Sequence, residues 1–120
     1  METQSEVLKR RTKSFAIKII RLFRSLPRTE EARIIGRQLL RAATSVAANY
    51  RAVRRARSRS EFIAKMGIVV EEADESAFWI ELLGDVGLVK GQELEPHLKE
   101  ANELLAIFAA SHRTAKRNRS

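Results

Sequence analysis

The sequence predicts an all-α protein folded as an antiparallel, up-and-down four-helix bundle, and three observations carry that expectation. Apolar residues recur at helical spacing in four separate stretches. Three breaks built from proline, serine or glycine separate those stretches. Strong helix formers (Ala, Leu, Arg, Glu, Lys) dominate a chain of 120 residues that holds only two prolines and five glycines. A chain of this length makes one core and buries roughly two thirds of the surface its unfolded form exposes.

The first helix is expected over residues 5–26, where Leu8, Phe15, Ile19, Leu22, Phe23 and Leu26 share one face and lysines and arginines take the others. Pro27 disfavours helical geometry at Leu26 and ends it. Thr29 is the expected N-cap of the second helix, because Glu30 and Glu31 then meet the positive end of the helix dipole. At 100° per residue Ile35, Leu39, Ala42, Ala43, Val46, Tyr50 and Val53 fall on one face of that helix. The small residues from Ala42 to Ala48 predict a seam where a neighbouring backbone approaches closely. On the opposite side Arg33, Arg37, Arg51 and Arg55 form a basic stripe, with Arg41 on its shoulder.

Arg54 to Arg59 reads as a short basic connection. Ser58-Arg59-Ser60-Glu61 matches a capping box and opens the third helix. Its main face is expected to be Phe62, Met66, Val69, Val70, Ala73, Ala77 and Ile80. A second apolar strip, formed by Ala64, Ile68, Trp79, Leu82 and Val86 with Phe78 at its edge, predicts a second packing partner. Glu72 and Glu75 lie in or beside that strip, and carboxylates among apolar neighbours require charged partners; the arginines of the second helix are the candidates. Gly87 is the expected left-handed stop, with Leu88 folding back after it. The fourth helix is expected from about Gln92 to Ser111, and residues 113–120 as a basic, disordered tail following a bundle domain of residues 1–112.

The chemistry that the sequence omits narrows the function. Without cysteine there are no disulfides and no thiolate ligands or nucleophiles. A di-iron bundle needs Glu-x-x-His pairs, and neither His97 nor His112 follows a glutamate at that spacing. His97 has Glu93 and Glu100 at helical spacing, the pattern of a surface ion pair. Gly-rich phosphate loops and nucleophile motifs are absent. No catalytic residue, no metal ligand and no cofactor is therefore expected, and the protein is read as a non-enzyme. The N-terminus lacks a signal-like apolar region and no apolar run approaches the roughly 20 residues of a membrane span, so a soluble, cytoplasmic protein without a membrane partner is expected.

The net charge is +8, and it is segregated: residues 28–59 carry +7 and residues 60–89 carry −6. Two functions follow. In one, Arg33, Arg37, Arg41, Arg51, Arg54, Arg55, Arg57 and Arg59 contact nucleic-acid phosphates, since the planar arginine fork suits a phosphate. With no aromatic platform evident in the basic region, sequence preference would be slight. In the other, the arginines pair with Glu72, Glu75 and neighbouring acids across subunits of a scaffold, whose interface comprises Ile68, Glu72, Glu75, Trp79, Leu82 and Val86.

At Gln38, Arg41-Ala42-Ala43, Ser45-Val46, Asn49 and Ser60-Glu61-Phe62 the chain resembles the four-helix bundle proteins related to the product of intervening sequences in bacterial 23S rRNA genes. Those proteins in turn look like the accessory variability determinant of diversity-generating retroelements. The similarity runs from the Phe15 region to the Leu104 region. It implies an up-and-down bundle assembled into a ring-like homopentamer, and in the retroelement branch the binding of RNA or DNA and of a reverse transcriptase. It implies no catalytic activity. Relatives commonly place an acidic residue and a glycine after the asparagine, whereas Tyr50-Arg51-Ala52-Val53 continues helically here, which predicts a second helix one turn longer.

Overall fold

The structure, a computed structural model, describes residues 1–118. It consists of four helices: α1 (Gln4–Ser25), α2 (Glu30–Arg54), α3 (Arg59–Asp85) and α4 (Gly91–Arg117), with no strand among the described residues. Three of the four N-termini have a side-chain cap, and α4 starts after Lys90 without one. The hydroxyls of Thr3, Thr29 and Ser58 accept the backbone N–H groups of Glu6, Ala32 and Glu61, and each satisfies one of the orphan donors of a first turn. Gly87, at φ +75°, ends α3: its N–H reaches the Gly84 carbonyl and the Leu88 N–H reaches the Leu83 carbonyl, both at 3.0 Å. This is the Schellman arrangement, which needs a left-handed residue and therefore favours glycine. Pro96 sits exposed in the second turn of α4, where losing one backbone bond near a solvated end is tolerated.

The helices run antiparallel in sequence order. Ser5 near the start of α1 meets Tyr50 near the end of α2, Arg41 of α2 meets Glu72 of α3, and Gly67 of α3 lies under His112 of α4. α1 packs on α2 and α4, and α3 also packs on α2 and α4, so each helix has its sequence neighbours beside it and α4 closes back on α1. The core holds Phe15 and Ile19 of α1, Leu39 and Val46 of α2, Val69, Ile80 and Leu83 of α3, and Leu104 and Phe108 of α4. Tyr50 and Phe108 stack obliquely with ring centroids 5.2 Å apart, a favourable aromatic separation.

Four expectations change. α4 does not stop at Ser111 but continues through Arg117, so residues 113–117 are helical and not a tail. Ala115 favours the helix, Lys116 and Arg117 oppose the negative end of its dipole, and Arg59 donates to the Asn118 carbonyl from the start of α3. The last two residues of the expected tail, 119–120, lie outside the described residues. The buried face of α3 is also rotated: Ile63 and Leu83 are buried, whereas Phe62 and Val70 are only half-buried. The buried arc of α3 is wider than the expected face and takes in the polar Glu72 and Ser76. In the small-residue run Ala42 and Ala43 are fully buried, Ala47 is half-buried and Ala48 is exposed, so the seam is shorter than expected. A close approach is made at Gly36, where a Cβ would lie 2.6 Å from Leu26 Cδ1 and 3.0 Å from Phe23 Cδ1.

Candidate nucleic-acid interface

The arginines of α2 reach the surface because the helix spends its apolar side on α1 and α3. Arg33, Arg37, Arg51 and Arg55 are exposed on one side of it, spread over about 33 Å at a rise of 1.5 Å per residue. Among the described residues none of these four, nor Arg57 in the α2–α3 connection, has a carboxylate within ion-pair distance. Their charge faces solvent uncompensated.

The other three expected arginines are engaged within the chain. Arg54 donates from Nε to Ser5 Oγ at 2.9 Å, and Arg59 holds the Asn118 carbonyl. Arg41 points from α2 to α3, its Nη1 3.2 Å from Glu72 Oε2 and its Nη2 3.1 Å from Glu75 Oε1. The ion pairs that the scaffold alternative places across subunits thus form inside one protomer at this position. The pairing answers the problem that Glu72 poses, since its side chain is only 11% exposed and a buried carboxylate without a partner is very costly. Glu75 is held above the usual glutamate value by its hydrogen bond to Glu72, by partial burial and by the charge of Glu72, against the pull of Arg41.

The remaining candidates on α3 stay at the surface. Ile68, Phe78 and Val86 are exposed, and Trp79 and Leu82 half-buried. Phe78 meets Trp79 edge-on at 4.8 Å, and the buried Trp79 indole N–H has no hydrogen-bond partner.

Three features escape the sequence. Arg11 of α1 grips Glu100 of α4 with two nitrogens, at 3.0 and 2.5 Å, and touches Glu103 at 3.2 Å. The hydrogen bond to Glu100 raises the guanidinium pKa. Glu100 therefore serves Arg11 and not His97, whose pKa is lowered by burial and by the charge of Lys18. Glu100 and Glu103 stand three residues apart on α4, but nothing in the sequence names Arg11 as their partner. Asn49, part of the family-like motif, donates from Nδ2 to the carbonyl and hydroxyl of Ser45 at 2.9 and 2.8 Å, which gives it a local structural role on α2. The third feature is an open cleft of about 690 Å³ at the end of the bundle where α1 begins, beside Arg54 and Arg57.

Among the described residues no three His, Cys, Asp or Glu side chains come together as a metal-ion site, and no helix is long and apolar enough to cross a membrane. The chain matches the family model of the 23S rRNA-intervening sequence protein over residues 4–110. No curated protein matches it. Among solved structures it is similar to a protein of unknown function from the S23 ribosomal protein family of Bacteroides thetaiotaomicron, at 28% identity and a TM-score of 0.85 over 92% of this chain and 99% of that one. With the family model covering α1, α2, α3 and most of α4, the chain belongs to the 23S rRNA-intervening sequence protein family.

Proposed function

We propose that this protein is a non-enzymatic, oligomeric accessory factor that binds nucleic acid, RNA or a ribonucleoprotein, through the arginines of α2 and of the α2–α3 connection. The observation that carries the reading is the uncompensated stripe of Arg33, Arg37, Arg51 and Arg55, with Arg57 beyond it. Arginine forks of this kind hold phosphates in pairs of hydrogen bonds. The family's name refers to 23S rRNA, which supports RNA as the ligand. In a ring-like homopentamer the stripe would recur on every subunit and raise avidity; a reverse transcriptase is the protein partner that the retroelement resemblance suggests.

The test is a binding titration of mixed-sequence RNA and DNA at several salt concentrations. Affinity is expected to fall linearly in log salt, and to drop when Arg33, Arg37, Arg51 and Arg55 are replaced together by Ala. Undetectable binding at low salt, or affinity unchanged in the variant, overturns the proposal.

A second reading, a protein-interaction scaffold, is favoured by the exposed apolar strip of Ile68, Phe78 and Val86. Exposed apolar strips of this kind mark association surfaces. With Arg41 and Glu72 paired within the protomer, this version rests on apolar contact centred on Trp79 and Leu82 and not on intersubunit ion pairs.

A further inference from the structure

The cleft at the α1 N-terminal end has a composition that the arginine stripe lacks. Its floor is apolar, formed by Leu8, Tyr50, Val53, Phe62, Met66 and Phe108. Phe62 is half-buried and keeps aromatic surface available there, while Tyr50 and Phe108 are buried against each other. The rim is polar and cationic, with Ser5, Arg54, Arg57, Ser58 and Ser111, and no carboxylate lines it. Arg54 spends its Nε on Ser5, which orients the guanidinium and leaves its terminal nitrogens for a ligand; Arg57 has no hydrogen-bond or ion-pair partner among the described residues. Ser58 is the N-cap of α3, so the positive end of that helix dipole also lies at the rim. The C-termini of α2 and α4 reach the same end of the bundle, and the two arginines set the sign of the charge.

The geometry points to a site for a nucleoside monophosphate unit, with the base over Phe62 on the apolar floor and the phosphate between Arg54 and Arg57. Its volume falls in the range of ligand pockets, about 300–1,000 Å³, and aromatic stacking with an arginine-held phosphate is how proteins grip unpaired nucleotides. The choice of a nucleotide over another aromatic phosphate rests on the proposed nucleic-acid function; the cleft and its charge do not. A free nucleotide and the phosphorylated end of a strand present the same chemistry, and the experiment separates them.

The test is an NMR titration of the full chain with adenosine monophosphate, adenosine and inorganic phosphate. Adenosine monophosphate should bind at least about tenfold tighter than either part, with shifts at Ser5, Phe62 and Ser111. Ser111→Trp, which fills the cleft, and Arg57→Ala, which changes an exposed residue, should each weaken it by about tenfold or more, with helical content unchanged. A 5′-phosphorylated single-stranded RNA that binds tighter than its 5′-hydroxyl twin identifies a strand end; equal binding of the two identifies the free nucleotide. Adenosine monophosphate no tighter than phosphate, or shifts confined to Arg33 and Arg37, overturns the proposal. The two functional readings fail separately: replacing Arg33, Arg37 and Arg51 by Ala tests the stripe and leaves the cleft intact, whereas Ser111→Trp does the reverse.

Discussion

Arg41 on α2 bridges Glu72 and Glu75 on α3 with its two terminal nitrogens, at 3.2 and 3.1 Å, and so joins an exposed cation to a buried anion. This arrangement separates Arg41 from the other α2 arginines in what its loss should do. Arg41→Ala strands Glu72 among apolar neighbours and is expected to cost about 1–3 kcal/mol of stability, the range for a buried polar group left without its partner. Arg51→Ala, at a solvent-facing site, should stay within about 0.5 kcal/mol. Urea unfolding followed by circular dichroism measures both, and equal losses would show that the α2–α3 pairing contributes nothing special.

In nucleic-acid binding the order should reverse. Arg51→Ala is expected to lower the salt dependence by about one unit of slope, as the loss of one phosphate contact does, and Arg41→Ala to leave it nearly unchanged because its fork is already occupied. The slopes of log affinity against log salt for the two variants decide this.

His97 makes stability depend on pH. Burial and the charge of Lys18 lower its pKa below the ordinary 6.5, so protonation favours the unfolded chain. The contribution is fully present above pH 6.5 and is lost as the pH falls through the lower folded-state value. His97→Gln should remove that part of the decline on acidification, and unfolding midpoints measured from pH 7.5 down to pH 5 in both proteins would reveal it.

Two glycines, Gly67 within α3 and Gly87 just past its end, should respond in opposite directions to alanine. At Gly67 a Cβ would meet His112 Nε2 at an ordinary 3.4 Å, so Gly67→Ala should stabilise the helix by up to about 1 kcal/mol. At Gly87 the φ of +75° strains any side chain, and Gly87→Ala should cost about 1–2 kcal/mol. Thermal melts that shift both variants the same way would contradict this assignment.

The α3 strip offers a test of assembly. Replacing Ile68 and Phe78 by Ser is expected to lower the mass measured by light scattering without loss of helical content, because both side chains are exposed in the protomer. An unchanged oligomer would place the interface elsewhere.

The sequence by itself determined the features whose causes are local. Thr29 and Ser58 cap helices because a short hydroxyl side chain reaches an amide three residues on, and Gly87 stops one because it alone accepts a left-handed turn without strain; both follow from neighbouring residues and were legible as such. The helical face of α2 was legible for the same reason, since one period and one pair of partners decide it. Tertiary structure decided what depends on residues distant along the chain. The Arg11–Glu100 clamp spans 89 positions, and no local pattern distinguishes Glu100 as the partner of Arg11 from Glu100 as the partner of His97. The rotation of the α3 core toward Ile63 and Leu83 was not legible because α3 carries two apolar strips and buries the polar Glu72 and Ser76, so its own pattern does not say which arc faces inward, and α4 outlasts its apolar pattern because Arg59 holds its end. The cleft belongs to the same class: Leu8, Tyr50 and Phe62 each read as one helix's core residue, and only the packing of four helix ends sets them with Phe108 beneath Arg54 and Arg57.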